Sequence, residues 1–427
     1  MSNITVQIKP CLETKTITDA VIKSNNSIYK LFSFEEVKEV MKRVLNDDVA
    51  VMEYAIRPYS DGKLGFLGSH YRLEVIASTK KEETVALSFF LKTIPYEVPE
   101  QADYVIKKGV FENETNFYGI IMPLLREGYR GKPWAPMCYK VTNNLMVFEE
   151  LGRKSYSTRN KLFDETLVRA GLSAIARLHA ASLLAEARLD VPLNRLHPDA
   201  FAEKGFARDE MTRMWLEPGF DVAAAVAERQ GRDPHLVRAV CERIYDITEP
   251  SCTKTNVVSH GDLWANNLMF NNDVPPNCLL VDYQLSRYSP LAHDIAQFLY
   301  LCTDRSFREA REYAMLQHYY ETLCEILNAH ETPQKPAWSE VVEGMEEQRL
   351  GALITAVLYF PTVLMDENLG AQVMNDSASY AEYYFRDRKK FVLSNMKKDS
   401  VYERRINEAV VEVAELASRL DQLPKPS

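Results

Sequence analysis

Residues 259–270 read SHGDLWANNLMF, and residues 278–284 read CLLVDYQ. In the first stretch an acid, Asp262, follows a glycine and precedes bulky apolar residues. Two asparagines then close the polar part before Leu268, Met269 and Phe270. The turn-prone NNDVPPN (271–277) follows, and behind it a second apolar run ends in Asp282. Apolar runs flanking Asn, Asp and Pro predict a β-hairpin. Folding the chain back there sets Asn267, at the start of one strand, beside Asp282, at the end of its neighbour. An amide oxygen and a carboxylate so placed can share a hard cation, because Mg²⁺ prefers oxygen ligands and keeps water and phosphate oxygens for its other positions. Asp262, on the preceding loop, is placed to accept a proton from an incoming hydroxyl.

These parts have the layout of phosphoryl transfer. A base or orienter is followed at Asp-x-x-x-x-Asn spacing by a metal ligand, and a second metal acid opens the next short motif. Such a site also needs a cation on the nucleotide phosphates. Lys92 ends the apolar run ALSFFLK (86–92), and Glu114 in FENETNFY (111–118) can hold it by an ion pair, with Glu112 as an alternative in the same segment. NLMVFEEL (144–151) reads as a strand running into a nucleotide hinge, where main-chain groups of Glu149, Glu150 and Leu151 can meet an adenine edge. SDGKLGFLGSHY (60–71) has glycines at 62, 65 and 68. That is not GxGxxG, so a phosphate-covering turn and a plain hairpin turn both fit.

Around these motifs the hydrophobic period changes once. SFEEVKEVMKRVLN (33–46) has a Ser33–Glu36 capping box and an apolar stripe, so a helix is expected. Strand-like runs follow at 49–59, 71–79, 84–95 and 144–151, with a helical stretch near 101–125. From 160 onward the pattern is helical, beginning with a long helix at 160–188, apart from the hairpin. A strand-rich N-lobe (1–152) and a helix-rich C-lobe (153–427) are expected, joined near GRKSYST (152–158): an α+β, bilobal, protein kinase-like fold.

Composition bounds the function class. The 427 residues are 46% apolar and 26% charged, with a net charge of −9. An acidic chain argues against nucleic acid or an anionic membrane as the main partner. The apolar run GALITAVLYFPTVLM (351–365) is shorter than a membrane span and reads as a buried helix or pocket wall. The N-terminus carries no secretory pattern. Seven scattered cysteines lack CxxC spacing, which suggests reduced thiols in a cytoplasmic protein.

The acceptor is expected to be a small hydroxylated molecule. Asp294, in the helical LAHDIAQFL, follows Asp282 by twelve residues and leaves little room for a peptide-docking segment. Gly261 stands where protein kinases carry an arginine. The helical tail would then build the pocket, with Trp264, Trp215, Tyr359 and Phe360 as candidates for a flat apolar wall. His260 is expected to brace the catalytic loop through a main-chain hydrogen bond, and His179 to be a satisfied, buried histidine.

HGDLWANN with VDYQ and PLAHDIAQFL resembles the aminoglycoside phosphotransferase/choline kinase-like superfamily. With FxxExxFY (111–118), VFEEL and RLHAAS (177–182), the chain is more closely similar to the ecdysteroid 22-kinase-like family, over about residues 60–365. The resemblance implies transfer of phosphate from ATP, with Mg²⁺, to a hydroxyl of an ecdysteroid or a foreign lipophilic compound. It implies Asp262 as base, Asn267 and Asp282 as metal ligands, Lys92 and Glu114 as the phosphate pair, and Asp294 as a brace of the catalytic loop. A kinase for choline, an aminoglycoside or another polar alcohol, and an inactive ligand-binding member, stay open as alternatives. Oligomeric state is not legible.

Overall fold

The computed structural model describes residues 28–45, 49–60, 67–80, 83–246, 248–331 and 335–425. Gly62 and Gly65 of the expected phosphate-covering turn lie outside them. Helix α1 (Phe34–Leu45) begins at the expected capping box, where the Ser33 N–H donates to Glu36 Oε2 at 2.7 Å. Strands β1 (Ala50–Pro58), β2 (Ser69–Ser78), β3 (Thr84–Thr93), β4 (Cys138–Val141) and β5 (Leu145–Glu149) form one sheet in the order β1-β2-β3-β5-β4. β3 and β5 pair antiparallel with Lys92 opposite Met146, and β5 is buried along its whole length. The sequence reading missed β4, whose CYKV carries only one β-branched residue.

The segment after β3 forms α2 (Pro99–Lys108) and α3 (Val110–Asn116), and continues as one π-helical turn at Phe117–Ile121. By internal contacts the chain divides into two compact units, residues up to 57 with 72–88, and 58–71 with 89–427. All residues of the site described below belong to the second unit.

The rest is mainly helical. α4 (Glu165–Leu189) is capped by Asp164, which accepts from the Leu167 N–H at 3.0 Å. α5 (Glu210–Arg229) is capped by Asp209. Then follow α6 (Pro234–Cys241), β6 (Asn256–Ser259), the hairpin β7 (Leu268–Phe270) and β8 (Cys278–Leu280), and β9 (Arg287–Pro290), which pairs with β6. α7 (Leu291–Cys302) is buried at every residue. α8 (Arg305–Ala329) and α9 (Trp338–Val363) are long, and α9 packs on α7 while α8 packs on α4. α9 absorbs the apolar run 351–365, Pro361 included, inside the protein. Four helices follow: α10 (Glu367–Met374), α11 (Ser377–Phe385), α12 (Lys389–Met396) and α13 (Ser400–Ala417). Strands first and helices after give the α+β, protein kinase-like fold expected from the sequence.

Candidate active site

The hairpin has the register its sequence predicts. Leu268 pairs with Leu280, and one step further the Val281 N–H donates to the Asn267 carbonyl at 3.0 Å. Asn267 and Asp282 therefore leave neighbouring strands side by side. Asn267 Nδ2 donates to the Asp262 carbonyl at 2.8 Å and to Asp262 Oδ2 at 3.0 Å, which ties the two ends of the loop together. With its nitrogen so engaged, the Asn267 amide oxygen is turned away from Asp262. Asp282 sits in the left-handed region at φ 70°, an uncommon backbone for a non-glycine residue and one that clusters at functional sites.

Lys92 reaches this point from β3. Its Nζ lies 2.6 Å from Glu114 Oε2 and 2.7 Å from Asp282 Oδ1. Glu112 is exposed, so Glu114 is the partner. Burial alone would lower the Lys92 pKa, but the two carboxylates outweigh it and hold the ammonium above its ordinary value. Glu114 is buried, and burial pushes its carboxyl upward against the pull of Lys92. Tyr283 locks the helix side, stacking on Phe117 at 4.1 Å and 9°.

Asp294 braces the catalytic loop. Its two carboxylate oxygens accept the His260 N–H at 2.7 Å and the Gly261 N–H at 3.0 Å, and His179 Nε2 lies 3.2 Å away. Burial acts to raise this carboxyl; the bond from His179 and the nearby histidines win and hold it near 2. His260 donates through Nε2 to the Val281 carbonyl at 2.9 Å and accepts the Asp262 N–H on Nδ1, which is a neutral imidazole bracing main chain. His179, fully buried, also meets the Tyr319 hydroxyl at 2.7 Å.

Asp262 is 5% exposed. Burial, with Asp282 adding to it, pushes its carboxyl up to about 7, against Gln284, Asn267 and Arg287. That places a proton acceptor in the range useful near neutral pH.

These groups open into a cavity of about 710 Å³. Lys92, Glu114, Asp262, Asn267 and Asp282 line it, and so do Glu149, Glu150 and Leu151. The Glu149 side chain is turned to the Met137 N–H at 2.8 Å and to Lys154, and Glu150 accepts the Tyr59 hydroxyl at 2.7 Å. Gly68, just before β2, lies beside the Lys92 side chain.

The sequence model of the ecdysteroid kinase-like family matches residues 65–331. The chain belongs to that family. No curated protein matches the chain. Among solved structures it is similar to a protein assigned as an aminoglycoside phosphotransferase from Ralstonia eutropha, at 12% identity and TM-score 0.42, covering 91% of this chain and 99% of that one. It is also similar to an ethanolamine kinase of Plasmodium vivax, at 10% identity and TM-score 0.38, covering 93% and 98%. A third is an aminoglycoside phosphotransferase in a ternary complex with streptomycin and ATP, at 13% identity and TM-score 0.34, covering 78% and 99%.

In this ecdysteroid kinase-like chain Trp264, Trp215 and Tyr359 line the cavity, with the Trp215 and Tyr359 rings 6.0 Å apart. Phe360 does not line it, which corrects the expectation from sequence. One residue along a helix rotates the side chain by about 100°, and Phe360 instead packs under the Arg405 guanidinium at 4.7 Å. The acids of 340–348 do not line the cavity either: Glu347 pairs with Lys254, and Glu340 accepts the Thr255 N–H.

Several contributors escaped sequence reading. Gln297 accepts the Leu263 N–H at 2.7 Å and donates to the Gly261 carbonyl at 3.1 Å. Its signal was available, since it sits three residues after Asp294 on the same helix face. Arg287, 2% exposed, places its guanidinium against Gly261 and bonds Glu203. It brings positive charge to the loop where the sequence has glycine. Gly261 itself is required: at φ 75° a Cβ would lie 2.2 Å from the Leu285 carbonyl oxygen. Gly261→Ala adds the left-handed cost of about 1–2 kcal/mol to that clash. It should lower the melting temperature and reduce kcat/KM at least tenfold, read by thermal unfolding and steady-state kinetics.

Proposed function

We propose that this chain is an ATP-dependent kinase that uses Mg²⁺ to phosphorylate a hydroxyl on a lipophilic acceptor, an ecdysteroid or a related foreign compound. The observation that carries the reading is the convergence of Lys92, Asp262, Asn267 and Asp282 on one cavity whose further wall is aromatic and aliphatic. Family membership supports the class of reaction. The finer choice of acceptor rests on Trp215, Trp264, Tyr359, Val363 and Met374, a lining suited to a flat apolar body.

The donor set fits the ion. Among the described residues no cluster of three or more His, Cys, Asp or Glu makes a closed metal cage. Asn267 and Asp282 offer two oxygen ligands, which suits an ion that completes its shell with phosphate and water. When bound, Mg²⁺ would neutralise charge on the phosphates. The chain's own residues do the rest. Lys92, fixed by Glu114, meets phosphate oxygens, and Asp262 orients the acceptor hydroxyl and takes its proton late, so positioning and charge neutralisation lower most of the barrier.

The test is transfer from γ-labelled ATP with Mg²⁺ to ecdysteroids, plant phenols and glycosides, choline and aminoglycosides. Label on a steroid hydroxyl is the expected result. Label confined to choline or aminoglycosides would move the reading to polar alcohols. Tight ligand binding without transfer would make the chain a binding protein.

A further inference from the structure

Tyr59, Tyr104, Tyr118, Tyr359 and Tyr384 line the cavity, and they are not alike. Tyr59 donates to Glu150 at 2.7 Å, Tyr384 sits beside the Thr362 hydroxyl, and Tyr118 packs edge-on against Phe148 of β5. Tyr104, on α2, and Tyr359, on α9, are each 8% exposed. Among the described residues neither of their hydroxyls has a hydrogen-bond partner. The Tyr283 and Tyr380 hydroxyls also lack one, but they are sealed in the core and do not line the cavity. Those of Tyr104 and Tyr359 are not sealed, and the space beside them is the cavity. The charged groups around them are engaged elsewhere. Near Tyr359, Asp262 bonds Asn267, and Arg287 bonds Glu203. Near Tyr104, Asp209 pairs with Lys108 at 2.6 Å, and Arg388 donates to the Trp215 carbonyl at 2.9 Å.

A buried tyrosine hydroxyl usually finds a partner, and one left without costs stability. The two phenols lie within electrostatic reach of each other yet are not bonded, so a ligand oxygen set between them can bond both. Burial holds both above their ordinary pKa, so they are neutral donors. An anionic substituent at Tyr359 would face the Asp262 carboxylate, which favours an uncharged one. We propose that Tyr104 and Tyr359 form a subsite for an uncharged oxygen on the acceptor's apolar body, a hydroxyl or ketone other than the hydroxyl that takes the phosphate. The inference rests on the kinase reading for the word acceptor, though not for the binding of the oxygenated body. A bare hydrocarbon body fills the same aromatic wall and leaves both phenols unpaired, which is how a site built to bond an oxygen rejects the analogue lacking it.

The test compounds are sterols that share one side-chain hydroxyl and carry a single hydroxyl or ketone at successive ring carbons, with the sterol lacking any ring oxygen as reference. In the wild type at least one ring oxygen should lower KM about three- to tenfold against the reference, the range of a neutral hydrogen bond. Tyr359→Phe and Tyr104→Phe should each shrink that ratio, and the double variant should bring it close to one. Because neither hydroxyl bonds the described protein, the variants should melt with the parent. No ring-oxygen preference in wild type, or the same preference in the double variant, overturns the inference while leaving the kinase reading in place. So does an equal loss with every compound, which is the mark of packing or of a contact to the shared side-chain hydroxyl, and so does a melting temperature several degrees lower. If ATP transfers phosphate to none of the sterols, equilibrium binding of the same set decides. A ring-oxygen preference that the double variant abolishes keeps the subsite and removes the kinase reading. Binding without that preference, or no binding, removes the subsite.

Discussion

Asp262→Asn should lower phosphate transfer by about 10²–10⁴-fold, the range typical of losing a positioned acid–base group, and leave nucleotide affinity close to that of the parent. On the proposed function the nucleotide would be held by other groups: Lys92, which pairs with Glu114 and Asp282, the hinge residues, and the apolar wall around Phe148 and Met269. An amide at 262 can still accept one bond from Asn267, so the loop keeps its ties through Asp294 and Gln297. What it cannot do is accept the hydroxyl proton. Single-turnover rates with a nucleotide-binding measurement separate the two. Undiminished transfer would remove Asp262 as the base.

The same substitution carries a stability signature of opposite sign. The Asp262 carboxyl is raised from an ordinary 3.8 to about 7 by burial and by Asp282. Between those values the folded protein binds a proton that the unfolded chain has released, so stability falls as pH rises through that window. Asparagine has nothing to ionise. Without nucleotide or metal, Asp262→Asn should therefore melt with the parent near pH 4 and several degrees above it at pH 8. A variant that is inactive yet more stable at pH 8 identifies a group strained for chemistry. Equal melting at both values would mean that the carboxylate is not desolvated.

The parts of the site readable in the sequence are those whose geometry is local. Asp262, Asn267 and Asp282 are fixed by a five-residue spacing and a short hairpin, and a hairpin's register follows from its turn and its apolar runs. Lys92 and Glu114 were legible because a strand end and a helix a fixed distance on are required by the same chemistry. What stayed illegible depends on rotation and long-range packing. Tyr359 and Phe360 are adjacent on a helix buried on all sides, and such a helix has no amphipathic contrast to say which residue faces a cavity. Arg287 comes from a separate segment, and no local pattern ties a cation on β9 to a loop at 261. Gln297 lies between these extremes, since its spacing from Asp294 was visible but its two main-chain partners were not.

Lys92→Met should reduce kcat/KM for ATP by about 10²–10³-fold, of the order seen when a preorganised charge on a reacting anion is removed, and it should destabilise the protein in a pH-dependent way. Removing one partner of a buried ion pair costs about 3–5 kcal/mol when the remaining charge has no other recourse. Glu114 has one, because burial already pushes its carboxyl upward and, without Lys92, it takes up a proton more readily. The folded variant then binds a proton that the unfolded chain lacks above pH 4.5, so its stability falls as pH rises. The loss in melting temperature should be small near pH 5 and large near pH 8. In the parent, the Lys92 contribution is present throughout this range, since its pKa is raised from 10.5 and the contribution is lost only above that value. The double variant Lys92→Met/Glu114→Gln removes the orphaned acid. It should recover most of the melting temperature at pH 8 and none of the activity. Recovery of both would mean that the pair serves the fold and that another cation meets the phosphates. Recovery of neither would place the damage at Asp282, whose carboxylate also loses its partner when Lys92 is removed.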